Sequence, residues 1–282
     1  MEQVVQEKRV LQWHPAFVAG LMIEFEGEEE KMLFESEYQL GTKPKEIDVL
    51  IIKKNAEEPI EKNIGRIFRK YNIVEYKSPE DYLSVDDFYK VYGYACFYKS
   101  DVKSENSIPA DEITISFVCK GYPYKLVKHL KKERNLKITT FDKGIYYITG
   151  DIIAMQLIVT SRLSKEQNFW LSNLTDDIRE TEQMQEVSAE YQKHRGNKWY
   201  RAVMNIIVRA NMERFKEGKD MCEAIIELFQ DEYDKGVQAA REEGREEGLL
   251  HALTDLVHDN ILPLDEAVKR SKLSKEEFLK LC

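Results

Sequence analysis

The chain has 282 residues, 43% of them hydrophobic, and its 51 acidic against 42 basic side chains give a formal charge of −9. No apolar run approaches the length of a bilayer crossing, and the charged Met1–Val10 segment does not fit a signal peptide, so a soluble cytoplasmic protein is expected. The four cysteines, Cys96, Cys119, Cys222 and Cys282, have no paired metal-type spacing, which argues against a zinc site and a disulfide framework.

In chain order, His14-Pro15 opens an apolar stretch through Phe25. Proline suits a first helical turn, although Leu21–Glu26 also reads as a strand. Met32–Leu40 and Ile47–Lys53 follow as strands, and Ile64–Ser78 as one or two more. Ser84 is a suitable N-cap for a helix over Val85–Lys99, with Asp86 and Asp87 in its first turn. Ile113–Cys119 returns to a strand pattern and Tyr124–Arg134 to a basic amphipathic helix. Leu136–Phe141 and Ile145–Thr149 flank a hairpin turn at Asp142-Lys143-Gly144, and Met155–Thr160 is one more strand.

From Ser164 onward helical periodicity dominates, with long helices predicted over Trp199–Phe215 and Met221–Leu250. Gly236, Ala240, Gly244 and Gly248 recur every four residues, a stripe that permits close helix approach and self-association, or else a solvated, fraying helix. The tail reads as two short helices, one begun by Pro263 and one with the capping-box pattern Ser274-Lys275-Glu276-Glu277, which serve either packing or a DNA-reading helix-turn-helix. The expected organisation is an α/β domain over 1–163, a helical region over 164–250 and a small helical tail over 251–282.

Two predicted strands carry an acid inside an apolar run. They are Glu46-Ile47-Asp48-Val49-Leu50-Ile51-Ile52 and Asn72-Ile73-Val74-Glu75-Tyr76-Lys77-Ser78. Desolvating a carboxylate there costs several kcal/mol unless a proton, a partner or a metal offsets it. Alternate strand residues share a face, so Glu75 and Lys77 point the same way, and neighbouring strands would bring Asp48 to them. The competing reading is an exposed Glu75–Lys77 ion pair worth roughly 0–1 kcal/mol.

The segment Pro44-Lys45-Glu46-Ile47-Asp48, then Ile73-Val74-Glu75-Tyr76-Lys77-Ser78-Pro79 and the helix from Ser84, resembles the PD-(D/E)XK nuclease superfamily. Within it, the similarity is to the recombination-promoting nuclease or putative-transposase proteins, over roughly residues 12–160. In this chain Ile47, not proline, precedes Asp48. The resemblance implies a restriction-endonuclease-like mixed central sheet with flanking helices, and a metal-dependent DNA endonuclease linked to recombination or mobile elements. It implies Asp48, Glu75 and Lys77 as catalytic residues. Asp48, Glu75 and the backbone carbonyl of Tyr76 would hold Mg²⁺, with Mn²⁺ as an alternative. First helices in this superfamily give a further acid, for which Glu24 and Glu26 are candidates, and the open helix-or-strand reading of that stretch leaves both outside the site set.

The charge balance bears on a DNA partner. The acid excess is concentrated in Glu26–Glu30, Asp176–Glu190 and Asp231–Glu247. Lys120, Lys125, Lys128, Lys131, Lys132, Arg134 and Lys137 cluster in one stretch, and Arg66, Arg69 and Lys70 precede the second motif strand. These are either phosphate contacts or solvated faces. The five histidines, His14, His129, His194, His251 and His258, show no ligand spacing. Two other classes stay open: a non-catalytic nucleic-acid-binding protein and a helical interaction scaffold.

Overall fold

Strand-like segments in the first 160 residues condense into β1 (Met32–Gln39), β2 (Glu46–Lys53), β3 (Tyr71–Tyr76), β4 (Ile113–Cys119), β5 (Lys137–Asp142), β6 (Ile145–Thr149) and β7 (Ala154–Val159). The structure, a computed structural model, describes residues 11–39, 46–101, 104–217, 245, 248–259, 261–271 and 273–279. The strands form one mixed seven-stranded sheet in the order β1-β2-β3-β4-β7-β6-β5. β1, β2 and β3 are mutually antiparallel, β3, β4 and β7 are parallel, and β7, β6 and β5 are again antiparallel. Every residue of β4 is buried, as suits a parallel strand covered on both faces.

Helices α2 (Val85–Ser100) and α3 (Tyr124–Lys132) cover one face. Leu50, Ile73, Phe88, Val91, Ile115, Phe117 and Leu130 are fully buried in the core between, each burial worth about 1.5–3 kcal/mol. On the other face lies α1 (Trp13–Glu24), whose Phe17 stacks on Tyr76 of β3 at 4.1 Å. Helices α4 (Phe169–Asn173) and α6 (Lys198–Ala210) pack on α1, with α5 (Thr181–Lys193) against α6. By its contacts the chain divides into two units, 1–221 and 222–282. In the second, the helices Leu264–Ser271 and Lys275–Leu279 close over Leu253, Ala267 and Phe278, and Ser274 and Glu277 form the anticipated capping box. Among the described residues no helix is long and apolar enough to cross a membrane.

Two segments differ from the sequence reading, and of the two readings open for the stretch up to Glu24 the structure takes the helix. The apolar run Ile64–Phe68 is a buried 3₁₀ turn and loop, and only Tyr71–Tyr76 is strand. A side chain at Gly65 would meet Phe25 at 2.7 Å and Ile60 at 2.6 Å, so the chain turns there against the end of α1 instead of running straight. The expected helix Trp199–Phe215 is two, α6 and α7 (Met212–Glu217), parted at Asn211. The Asn211 amide donates to the carbonyl of Thr175 and accepts the N–H of Ile178, tying the break to the segment before α5. Pro44, Gly236, Ala240, Gly244 and most of Met221–Leu250 lie outside the described residues.

Candidate active site

The β2–β3 ladder ends at the pair Val49–Val74, so the next positions in register place Asp48 opposite Glu75 where the two strands part. Opposed residues of antiparallel strands share a face, and both carboxylates therefore lie toward α2. In place of a strand carbonyl, the Asp48 side chain accepts the N–H of Tyr76 at 2.9 Å. An extended residue directs its N–H and C=O to the same flank, so the Tyr76 carbonyl also faces the β2 side. Asp48 is unpaired on its other flank too: the β1 ladder skips Glu37, which has φ +54°. A non-glycine residue in that conformation costs of order 1–3 kcal/mol and signals a locally imposed geometry.

Glu75 is 3% exposed. Its Oε1 lies 3.3 Å from Lys77 Nζ and 3.8 Å from Lys90 Nζ. Burial first, and the Asp48 charge second, push the Glu75 pKa up despite these cations. Lys77 also reaches Asp87 Oδ1 at 2.9 Å. Burial works against the Lys77 charge, but the Asp87 hydrogen bond and the Glu75 charge outweigh it and hold its pKa above the ordinary value. Asp87 is itself fixed by the start of α2. Its Oδ2 accepts both the N–H and the hydroxyl of Ser84, at 2.9 and 2.6 Å, while its own N–H donates to the Ser84 hydroxyl. A capping box thus positions the lysine.

The N-terminal turn of α1 adds His14, whose Nε2 is 3.5 Å from Asp48 Oδ2. That contact raises the histidine's pKa, its hydrogen bond to Asp48 outweighing partial burial. Beside Asp48 opens a cleft of about 600 Å³ between α1, α2 and α6, walled in part by Lys90, Tyr94 and Trp199.

No family model, curated protein or solved structure matches this chain. The site has to be read from its own chemistry. Among the described residues no group hydrogen-bonds Asp48 Oδ1 or Glu75 Oε2, and none of them forms a cluster of three or more His, Cys, Asp or Glu side chains able to hold a metal. Two carboxylates and a main-chain carbonyl make an all-oxygen donor set. It suits Mg²⁺, which uses one or two carboxylates and keeps several waters.

The structure brings together the predicted Asp48, Glu75, Tyr76 and Lys77, but neither Glu24, at the end of α1, nor Glu26, just after it, joins them. Glu24 accepts the Leu171 N–H at 3.1 Å and the Asn168 amide at 3.2 Å, and pairs with Lys62 at 2.5 Å. Glu26 accepts the Tyr200 hydroxyl at 2.7 Å. His14, Asp87 and Lys90 are additions that strand alternation does not reveal; Asp87 alone had a signal, the Ser84 cap three residues before it. Of the basic residues, Lys125, Lys128, Lys131 and Lys132 lie exposed on α3. The Lys125 N–H donates to the Tyr82 hydroxyl in the loop after β3. Arg69 and Lys70 directly precede β3, at the end of the strand opposite to Lys77, and Arg66 lines a separate hollow with Phe141 and Asp142.

Proposed function

We propose that this chain is a Mg²⁺-dependent DNA endonuclease of the PD-(D/E)XK type, acting in the cytoplasm on phosphodiester bonds in recombination or mobile-element processing. One observation carries the reading. Asp48 and Glu75 stand opposite each other where β2 and β3 part, and a half-buried lysine two residues after Glu75 touches it. A purely structural ion pair gives no reason for the second carboxylate, which opposes the ionisation of the first.

In this reading Asp48, Glu75 and the Tyr76 carbonyl hold the cation, and Mn²⁺ would serve as well. When bound, the cation supplies Lewis-acid activation of water and of the scissile phosphate. Lys77 contributes a fixed positive charge for the negative charge that develops on phosphorus, a preorganised electrostatic contribution. Asp87 and Glu75 restrain that ammonium group, so little reorganisation accompanies the reaction. The exposed lysines of α3, starting beside the loop that follows Lys77, supply positive potential for the DNA backbone on a chain that is acidic overall.

A titration of Mg²⁺ into plasmid DNA and purified protein tests this directly. Nicking should rise with the metal, disappear in chelator, and be absent from Asp48→Ala protein of unchanged circular dichroism. Metal-independent nicking, or full activity of Asp48→Ala, overturns the reading.

A further inference from the structure

The cleft beside Asp48 has a mixed lining. Strands β1 and β2 line it with Glu37 and Asp48, α2 with Lys90 and Tyr94, α1 with His14, Pro15 and Val18, and α6 with Trp199. Trp199 is seated by the start of α6, its N–H donating to the Asn197 side chain at 2.8 Å, and Lys198 Nζ lies 4.3 Å from the ring centre. At about 600 Å³ the cleft falls within the usual range for small-ligand sites. It is a concave pocket that holds an indole, one lysine and two carboxylates, and Asp48 of the proposed scissile position is part of its wall.

From this we infer that the cleft receives one unpaired nucleotide of the strand being cut, its base against Trp199 and its phosphate toward Lys90. The inference rests on the nuclease reading and deepens it by naming the substrate class: DNA with a bulged, extruded or single-stranded nucleotide rather than uninterrupted duplex. A stacked base cannot enter the cleft without leaving the helix, and that cost is least where the base is already unpaired. The lining supplies a stacking partner indifferent to base identity, as in proteins that bind single strands without sequence preference.

The test is a binding comparison in chelator, where no cleavage occurs. Its probes are a short duplex with one bulged 2-aminopurine and the same duplex fully paired. The parent protein should bind the bulged duplex about tenfold more tightly or better, the scale of one base–aromatic stack, and quench its fluorescence. Trp199→Ala should remove that preference and Trp199→Phe restore part of it. Val18→Trp, which fills the cleft from α1, should also remove it. Equal affinity of the parent for both duplexes overturns the inference, as does a preference that survives Trp199→Ala and Val18→Trp. The two readings fail separately. A Trp199-dependent preference without Mg²⁺-dependent nicking keeps the cleft assignment and rejects the hydrolytic one. Equal binding with intact nicking does the reverse.

Discussion

Two buried glutamates, Glu24 and Glu75, sit in opposite electrostatic situations. Glu24 is 7% exposed, and a main-chain N–H, a side-chain amide and an ammonium group all address its oxygens. Around it Asn63 donates to Asp142 and Asn168, so the cluster is one closed hydrogen-bond network joining α1, α4 and the β5–β6 turn. Glu75 is 3% exposed and has Lys77 and Lys90 near one oxygen, but it faces Asp48, another carboxylate, and its other oxygen has no hydrogen bond among the described residues. Burial alone therefore does not distinguish the two acids. What separates them is whether the neighbours satisfy the charge or add to the repulsion.

The largest expected effect, and the first test of this contrast, is loss of cleavage. Asp48→Ala, Glu75→Ala and Lys77→Ala should each reduce Mg²⁺-dependent nicking by about 10³-fold or more, equivalent to about 4 kcal/mol or more of transition-state stabilisation. In the proposed mechanism the three act as one unit, so the triple variant should be scarcely slower than any single one. Single-turnover assays decide it, and a Glu75→Ala protein with parental rates would reduce Glu75 to a buried ion pair. Glu24→Ala should do the opposite. It leaves the Leu171 N–H and the Asn168 amide without their buried acceptor, a loss of about 1–3 kcal/mol. Urea unfolding should register that loss.

Legibility in the sequence follows the range of the interactions. β1 through β4 and α2 were readable because strand alternation and a Ser84 cap are local signals, and Asp48, Glu75 and Lys77 stood out against that alternation. His14 reaches Asp48 only through the packing of α1, which nothing within a strand's length of Asp48 records. Glu37 reads as an ordinary strand residue, yet its backbone departs from the ladder where Asp48 needs room. The run Ile64–Phe68 misled because burial in a loop under Phe25 leaves the same apolar composition as burial in a strand. Glu24 was legible as an acid near the start of the fold, but its partner Asn168 lies 144 residues away.

A metal response sharpens the comparison further. In chelator Asp48→Asn should melt at the parental temperature or higher, since it removes a repulsion felt by Glu75 and keeps the side chain's shape. Mg²⁺ at a hundredfold excess over its dissociation constant should stabilise the parent by about 2.7 kcal/mol through mass action. The Asp48→Asn protein should lose most of that gain, whereas Glu24→Gln protein, however destabilised, should keep it. Scanning calorimetry with and without Mg²⁺ reads all three. Identical responses from Asp48→Asn and the parent would remove the metal from this site.

The smallest effect belongs to the satisfied end of the molecule. Glu28 accepts the N–H groups of Glu61 and Lys62 at 2.9 and 3.1 Å and the Lys31 ammonium at 3.3 Å, pinning the loop before Gly65 to the chain after α1. Burial works against its charge, but these donors outweigh it and hold its pKa below the ordinary 4.5. A carboxylate with a depressed folded-state pKa binds its proton more readily in the unfolded chain. Its contribution is therefore complete above the unfolded value and fades as pH falls toward and through the folded one. Glu28→Gln should accordingly be less stable than the parent at pH 7, by on the order of 1 kcal/mol for a weakened hydrogen bond. The two should converge as the medium is acidified below the ordinary carboxylate range. Denaturant midpoints of both proteins from neutral to acid pH measure this. A difference that stays constant through the acid range would mean that Glu28 stabilises the loop by its shape and not by its charge.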